Sequence, residues 1–402
     1  MRFNSTSIFK SSFFRKSFFT NPKYIVIIWI ILAGVSGIKQ YLRGVGGYNN
    51  YLIFKNVFYH TRNQVNLYNA YPSEYFDHNH YGPIFSLVIA PFAVLPDYLG
   101  LVFWNIANAG ALVFAITELP LQKSQLNAVL WICAHELLTA LLGMQFNPMM
   151  TSIILLSYVY IEKEKDFWSA MLIVLGIFIK LYGVVGLAFF FFSKHKVRFV
   201  ASLFFWSIVF FTMPMAISSP TFIVQSYQDW FARLVLKNSS NANLISRQDI
   251  CLMGMVRRIF NNPYISNIPF LMGGIVLFGS QYLRISQYKH QAFRLMLLAS
   301  VLIFTVIFSS GSESPTYIIA FVGIAIWFVI QPKPVSKWNL FLFIFAIILT
   351  SFSPSDLFPK FVRETYINKY ALKALPCVII WFVIVYEMCT KNFEKYRSIS
   401  NQ

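Results

Sequence analysis

Apolar residues in this chain arrive in blocks of about 15 to 25, separated by short polar stretches, and a block of that length is what a helix needs to cross a bilayer core of about 30 Å. Lipid offers no hydrogen-bond partners to an exposed backbone, so such blocks are expected to be helices that satisfy their own N–H and C=O groups. Alternating ten-residue segments of the β-barrel kind are absent. Composition agrees: of 402 residues 57% are hydrophobic and 12% charged, against about 25% charged in a soluble domain. The expected class is therefore all-α, a polytopic transmembrane bundle of about twelve spans forming one transmembrane domain over 1–402.

Spans are expected near 24–42, 83–96, 98–118, 126–143, 147–160, 168–192, 197–216, 268–284, 292–309, 315–330, 338–353 and 372–390. Two polar excursions interrupt them, 43–82 and 217–267. No internal repeat is visible, which disfavours transporters built from duplicated halves. The net charge of +18 is read as a basic rim beside anionic lipid, not as a nucleic-acid surface. Cys133, Cys251, Cys377 and Cys389 show no metal or disulfide spacing, and neither is expected.

Lysine and arginine bias sets the orientation. The first 23 residues carry five basic side chains, Arg2, Lys10, Arg15, Lys16 and Lys23, and no acid. No small-residue cleavage site follows them, so a retained first span is expected. SKHKVR (193–198), the Arg284–His290 turn, QPKPVSK (331–337) and KNFEKYR (391–397) are also basic. Twelve spans place all of these, with both termini, in the cytoplasm, and place 43–82, 217–267, 310–314 and 354–371 outside. The region 83–192 has two solutions. Pro91 in the short block 83–96 and Lys180 in the middle of 168–192 allow both to fold back. The hairpin at Gln145 and Asn147 then lies outside and EKEKD (162–166) inside, the version preferred because it gives these polar groups water or a ligand.

Candidate chemistry gathers on the outer side. In the first loop Tyr51, Phe54 and Phe58 recur at near-helical spacing among polar residues, the pattern of a helix lying in the interface. The loop ends in Glu74, Asp77, His78, Asn79 and His80. Asp77, at the lipid–water boundary between aromatics, is a candidate base if partly desolvated, or else a solvated acid capping the next helix. Charges inside spans are costly and often functional. Lys180 is the clearest, either meeting a phosphate or pairing with Glu136, whose neighbour is His135. In the second loop Arg247, Arg257 and Arg258 suit phosphate recognition or headgroup anchoring. Glu313, in SSGSESPTY, either assists Asp77, neutralises an arginine or caps a helix start.

These elements together resemble glycosyltransferase family 87, polytopic polyprenyl-phosphate-sugar-dependent enzymes of the GT-C superfamily, and within it a Bacteroidetes-type subgroup. The resemblance covers nearly the whole chain. It rests on a first outer loop that closes with an aromatic–x–Pro step (Tyr81 to Pro96), the GQxN-like turn GMQFN (Gly143–Asn147), the IKxYP-like IKLYG (Ile179–Gly183) and the SLxGxxRR-like LMGMVRR (Leu252–Arg258). Three positions depart from the pattern. Tyr48-Asn49-Asn50 stands where many relatives have a catalytic aspartate, Met144-Gln145 replaces Gly-Gln, and Gly183 replaces a proline. The resemblance implies a mannosyltransferase-like enzyme that passes a hexose from a polyprenyl-phosphate sugar to a glycan or glycolipid acceptor outside a bacterial cytoplasmic (inner) membrane. It implies inversion, no metal and no cofactor, the lipid-linked sugar being a substrate. Asp77 is the implied base, and Asn50, Tyr81, Gln145, Asn147, Lys180, Arg257, Arg258 and Glu313 the implied substrate contacts. Transporters or flippases, pyrophosphate-using polysaccharide polymerases or ligases, and an inactive relative are the alternatives.

Overall fold

A computed structural model describes residues 17–244 and 248–394. Arg247, the first four basic residues of the N-terminus and the end of the KNFEKYR tail lie outside the described residues. Within them the chain is helical, with no strand. Four helices are long and apolar enough to cross a bilayer unaided, Pro22–Leu42, Asp97–Thr117, Lys123–Leu142 and Lys196–Ala216, and six shorter apolar helices accompany them. The protein is a multi-pass membrane protein. Two compact units divide it: Ile30–Glu118 with Leu137–Ser240, and Met1–Trp29 with Leu119–Glu136 and Asn241–Gln402.

The first unit is framed by buried amides, the small-polar contacts that join helices where lipid competes for apolar surface. Asn105 donates to Ser36 Oγ at 3.0 Å and to the Leu141 carbonyl at 3.2 Å. Trp104 Nε1 holds the Met144 carbonyl at 3.1 Å, and Gln40 donates to the carbonyl of Leu142. Gly37 lets the first helix close on Asp97–Thr117, since a Cβ there would lie 2.9 Å from the Val102 side chain.

The first loop folds as the helix Asn49–Asn63. Its apolar stripe packs against protein. Tyr51 and Phe54 are buried, and the Phe54 ring packs 4.9 Å from Tyr81, 5.0 Å from Phe85 and 5.7 Å from Trp104. The stripe thus faces protein, not lipid. Upon this helix lies Phe85–Ala93, whose nine residues rise only about 13 Å at 1.5 Å each. Tyr51 Oη donates to Phe92 O at 2.9 Å, Tyr59 Oη to Ala93 O at 3.1 Å, and Lys55 pairs with Asp97 at 2.6 Å. Both ends of 83–96 therefore stay beside the first loop. The segment folds back on the first loop.

The block 168–192 also folds back. Its helix Asp166–Lys180 stops at Leu181, φ 45°, and the chain returns as a 3₁₀ helix, Tyr182–Phe192. Eleven 3₁₀ residues at about 2.0 Å each cover about the same 22 Å as fifteen α-helical ones at about 1.5 Å. Gly183 makes the return possible, because a Cβ there would sit 2.4 Å from the carbonyl carbon of Gly176. At the far end of this unit Lys163 pairs with Glu118, Lys194 with Glu164 at 2.5 Å, and Ser193 donates to Asp166 at 2.6 Å. EKEKD and SKHKVR share one end, while Asn50 ties Gly143 of the GMQFN turn to the other at 2.7 Å. Of the two solutions for 83–192, the structure adopts the folded-back one.

In the second unit Gln291–Ile307 and Tyr317–Val329 are buried almost throughout, and Ala374–Thr390 packs on them through Trp381, which donates to Ser300 Oγ at 3.1 Å. Glu136, fully buried, accepts from Lys373 Nζ at 3.0 and 3.1 Å. The expected alternative of a Lys180–Glu136 pair is thereby corrected: Glu136 already has a buried lysine, and Lys180 takes a different partner.

Candidate active site

Asn50, Asp77, Tyr81, Gln145, Asn147 and Lys180 belong to the first unit, whereas Arg257, Arg258 and Glu313 belong to the second. In the first unit the loop 64–82 is fastened by side chains gripping main chain. Asn79 accepts from Tyr81 N at 2.9 Å and donates to Tyr81 O, Tyr68 Oη reaches the same carbonyl at 3.1 Å, and Gly82 N donates to Ile179 O at 3.0 Å. Gly82 has no room for a side chain, since a Cβ would meet Phe178 O at 2.0 Å.

Asp77 stands at the apex with φ 72°. Its side chain is 53% exposed, so it is more open to water than a desolvated base would be. Oδ1 accepts the His78 N–H at 2.9 Å, and Oδ2 faces Lys237 Nζ at 3.8 Å, too far for a hydrogen bond. One oxygen is occupied and the other is available.

Lys237, which sequence reasoning did not single out, lies on the helix Pro220–Asn241. Trp230 of that helix donates to His80 O at 2.9 Å and packs on Leu67 and Tyr68. Trp230, Arg233 and Lys237 recur at three and four residues, which puts them on one helical face; that spacing was the available signal. The opposite face carries Phe231, Val235 and Leu236, all exposed. Burial, with Lys237 and Arg233 adding to it against Asp77, pulls the His80 imidazole down to about 4. Its Nδ1 contacts His78 O at 2.6 Å, while its Nε2 and the Nε of Arg233 are buried without a hydrogen-bond partner.

The GMQFN turn and the lysine motif meet directly. Lys180 Nζ donates to Asn147 Oδ1 at 2.9 Å and sits 5.5 Å from the Tyr81 ring centroid and 5.2 Å from that of Tyr182. Two aromatic faces stabilise the ammonium. Asn147 is 1% exposed and opens the helix Asn147–Glu162, and its Nδ2 has no hydrogen-bond partner. A lysine, an unpaired amide donor and a helix N-terminus are three attractions for one anion. Gln145 is half-buried in the same turn.

In the second unit Arg257 is 1% exposed. Its Nε and Nη2 bind both oxygens of Asp249 at 2.6 to 2.9 Å, and its Nη1 binds Ile265 O at 2.9 Å and Asn267 Oδ1 at 2.7 Å. Three of these bonds run to one carboxylate, which Nε–H and the inner Nη2–H face side by side. Direct substrate contact by Arg257 does not fit this geometry, and its position instead fixes the segment 249–267. Gly254 is required there because a Cβ would lie 1.7 Å from Asp249 O. Arg258 donates to Gln248 O at 2.7 Å and to Asn368 O at 3.3 Å. Glu313 accepts from Gln248 Nε2 at 2.7 Å and caps the helical turn that begins at Ser314.

Comparison with known proteins places residues 79–310 within the model of glycosyltransferase family 87. No curated protein matches the chain. Among solved structures, the crystal structure of ArnT from Cupriavidus metallidurans bound to undecaprenyl phosphate is similar at 12% identity and a TM-score of 0.40, covering 91% of this chain and 76% of that one.

Proposed function

We propose, starting from the fact that this chain belongs to glycosyltransferase family 87, that it moves a hexose, mannose by the family resemblance, from a polyprenyl-phosphate sugar to a glycan or glycolipid acceptor. The observation that carries the phosphate donor is the Lys180–Asn147 pair. The lysine takes Oδ1, which leaves Nδ2 of a buried amide as an unpaired donor at a helix start. A phosphodiester oxygen completes that set, and Tyr81 and Tyr182 keep the ammonium oriented toward it. Asn50 holds the turn through Gly143, and Gln145 is assigned to sugar hydroxyls.

In the proposed step the acceptor hydroxyl gives its proton to Asp77 Oδ2 as its oxygen bonds the anomeric carbon. The bond from that carbon to the phosphate oxygen breaks, its electron pair leaves with polyprenyl phosphate, and the configuration inverts. Lys180 and the head of Asn147–Glu162 stabilise the charge that gathers on the leaving group, the largest electrostatic demand of such a reaction. The site is assigned to the outer face of a bacterial cytoplasmic membrane, with both termini inside.

The test uses the full chain in proteoliposomes with a panel of radiolabelled polyprenyl-phosphate hexoses. Wild type transfers label and Asp77→Asn does not. A wild type inert toward every donor overturns the enzyme reading, and full turnover by Asp77→Asn removes that residue as base. A cysteine placed beside Asn147 is expected to react with impermeant reagent from outside only; labelling from the cytoplasm alone reverses the orientation.

A further inference from the structure

We infer that Asn49 is the positioning residue of Asp77, an inference that rests on the reading of Asp77 as the base. Asn49 opens the helix Asn49–Asn63, and its carboxamide grips one residue of the loop twice. Nδ2 donates to Phe76 O at 2.7 Å, and Phe76 N donates to Oδ1 at 2.7 Å. Two opposed bonds to one residue fix the rotation of its backbone as well as its place.

Asp77 follows at once, and its φ of 72° is one that a residue other than glycine keeps only when its surroundings hold it. The Phe76 ring does not supply that hold, because it is 62% exposed. Three residues further on, Trp230 Nε1 grips His80 O at 2.9 Å. The segment Asp77–Asn79 is therefore stretched between a clamp on each side, and the Asn49 clamp is the one adjacent to the carboxylate. With the backbone fixed, the His78 N–H takes Oδ1 and Oδ2 is left open.

The clamp needs a side chain that donates and accepts at once, which a carboxamide does and a carboxylate does not. Aspartate at 49 would keep the bond from Phe76 N–H and set a negative oxygen against Phe76 O. Alanine would remove both bonds.

The experiment compares Asn49→Ala, Asn49→Asp and Asn49→Gln with wild type by amide hydrogen exchange over 74–79 and by transfer kinetics from a polyprenyl-phosphate hexose. Asn49→Ala is expected to exchange about tenfold faster at Phe76, with the helix Asn49–Asn63 otherwise unchanged. Its kcat falls about a hundredfold while the donor KM stays within about threefold, as displacement of a reacting group predicts. Asn49→Asp behaves like alanine, and Asn49→Gln recovers part of kcat. Wild-type exchange or wild-type kcat in Asn49→Ala overturns the inference. So does restoration of turnover when Asn49→Asp is added to Asp77→Asn, which would put the base at position 49. If Asn49→Ala does not fold, the aspartate and glutamine variants carry the same comparison. A wild type without activity removes the functional reading alone, since exchange decides the clamp without turnover.

Discussion

The segment around Arg257 and the loop around Asp77 hold the same kinds of charge and treat them in opposite ways. Asp249 and Arg257 are almost fully buried, and each of the three guanidinium nitrogens has an acceptor. Glu136 and Lys373, in the same unit, are buried and matched in the same manner. Asp77 instead keeps an oxygen free beside a lysine 3.8 Å away, and Asn147 keeps a buried donor without a partner. Removing a charge from water is costly, so a buried ion is retained when its partners are complete. Saturation marks the region that holds the fold. Incompleteness marks the region with capacity for a ligand.

Breaking the contrast at its sharpest point gives the largest effect. Asp77→Asn is expected to lower transfer about a thousandfold, the range of a general base, with no change in melting temperature because the side chain is 53% exposed. Arg257→Ala should do the reverse. It strands Asp249 in the interior and costs about 3 to 5 kcal/mol of stability, read as thermal unfolding in detergent, while the fraction that stays folded keeps its turnover. Replacing both partners, Arg257→Met with Asp249→Leu, is expected to recover most of that loss. Equal effects on rate and stability at both sites would erase the distinction drawn here.

Smaller changes sharpen it within the first unit. Lys180→Gln is expected to reduce kcat/KM for the donor about tenfold, the worth of one charge-assisted contact near 1.4 kcal/mol. An unaltered value would move the phosphate elsewhere. The smallest effect is in pH. Burial lowers His80 from 6.5 to about 4, so below 6.5 the unfolded chain takes up a proton that the folded one refuses. Stability from this group is complete above 6.5 and declines as pH falls toward about 4. His80→Gln should flatten that part of the curve of melting temperature against pH.

Much of the architecture was legible along the chain. The apolar block expected at 98–118 is the helix Asp97–Thr117, since a span must be both long and apolar. Lys180 and Pro91 marked the two segments that fold back, because a charge or a proline in a short block opposes a straight crossing. The site was legible in part. Asp77 and Asn147 stood out as polar groups at the margins of apolar blocks and Lys180 as a charge in the middle of one, and the last two do meet. Lys237 and Arg233 did not stand out, although their spacing from Trp230 was there to be read. The stripe of Tyr51 and Phe54 was read as one face of an interfacial helix, but periodicity reports that a helix has an apolar face and not that Phe85 and Trp104 cover it.

By itself, then, the order of residues determined the class of the protein and its membrane setting, consequences of local length, polarity and backbone satisfaction in lipid, and left two solutions open for 83–192. Tertiary structure decided the pairings. Glu136 finds Lys373 across 237 residues, Lys180 finds Asn147 across 33, and Asn49 finds Phe76 across 27. Hydrogen bonds and ion pairs act over a few ångströms in space, so which polar group is saturated and which is left open for chemistry is settled only when distant segments come together.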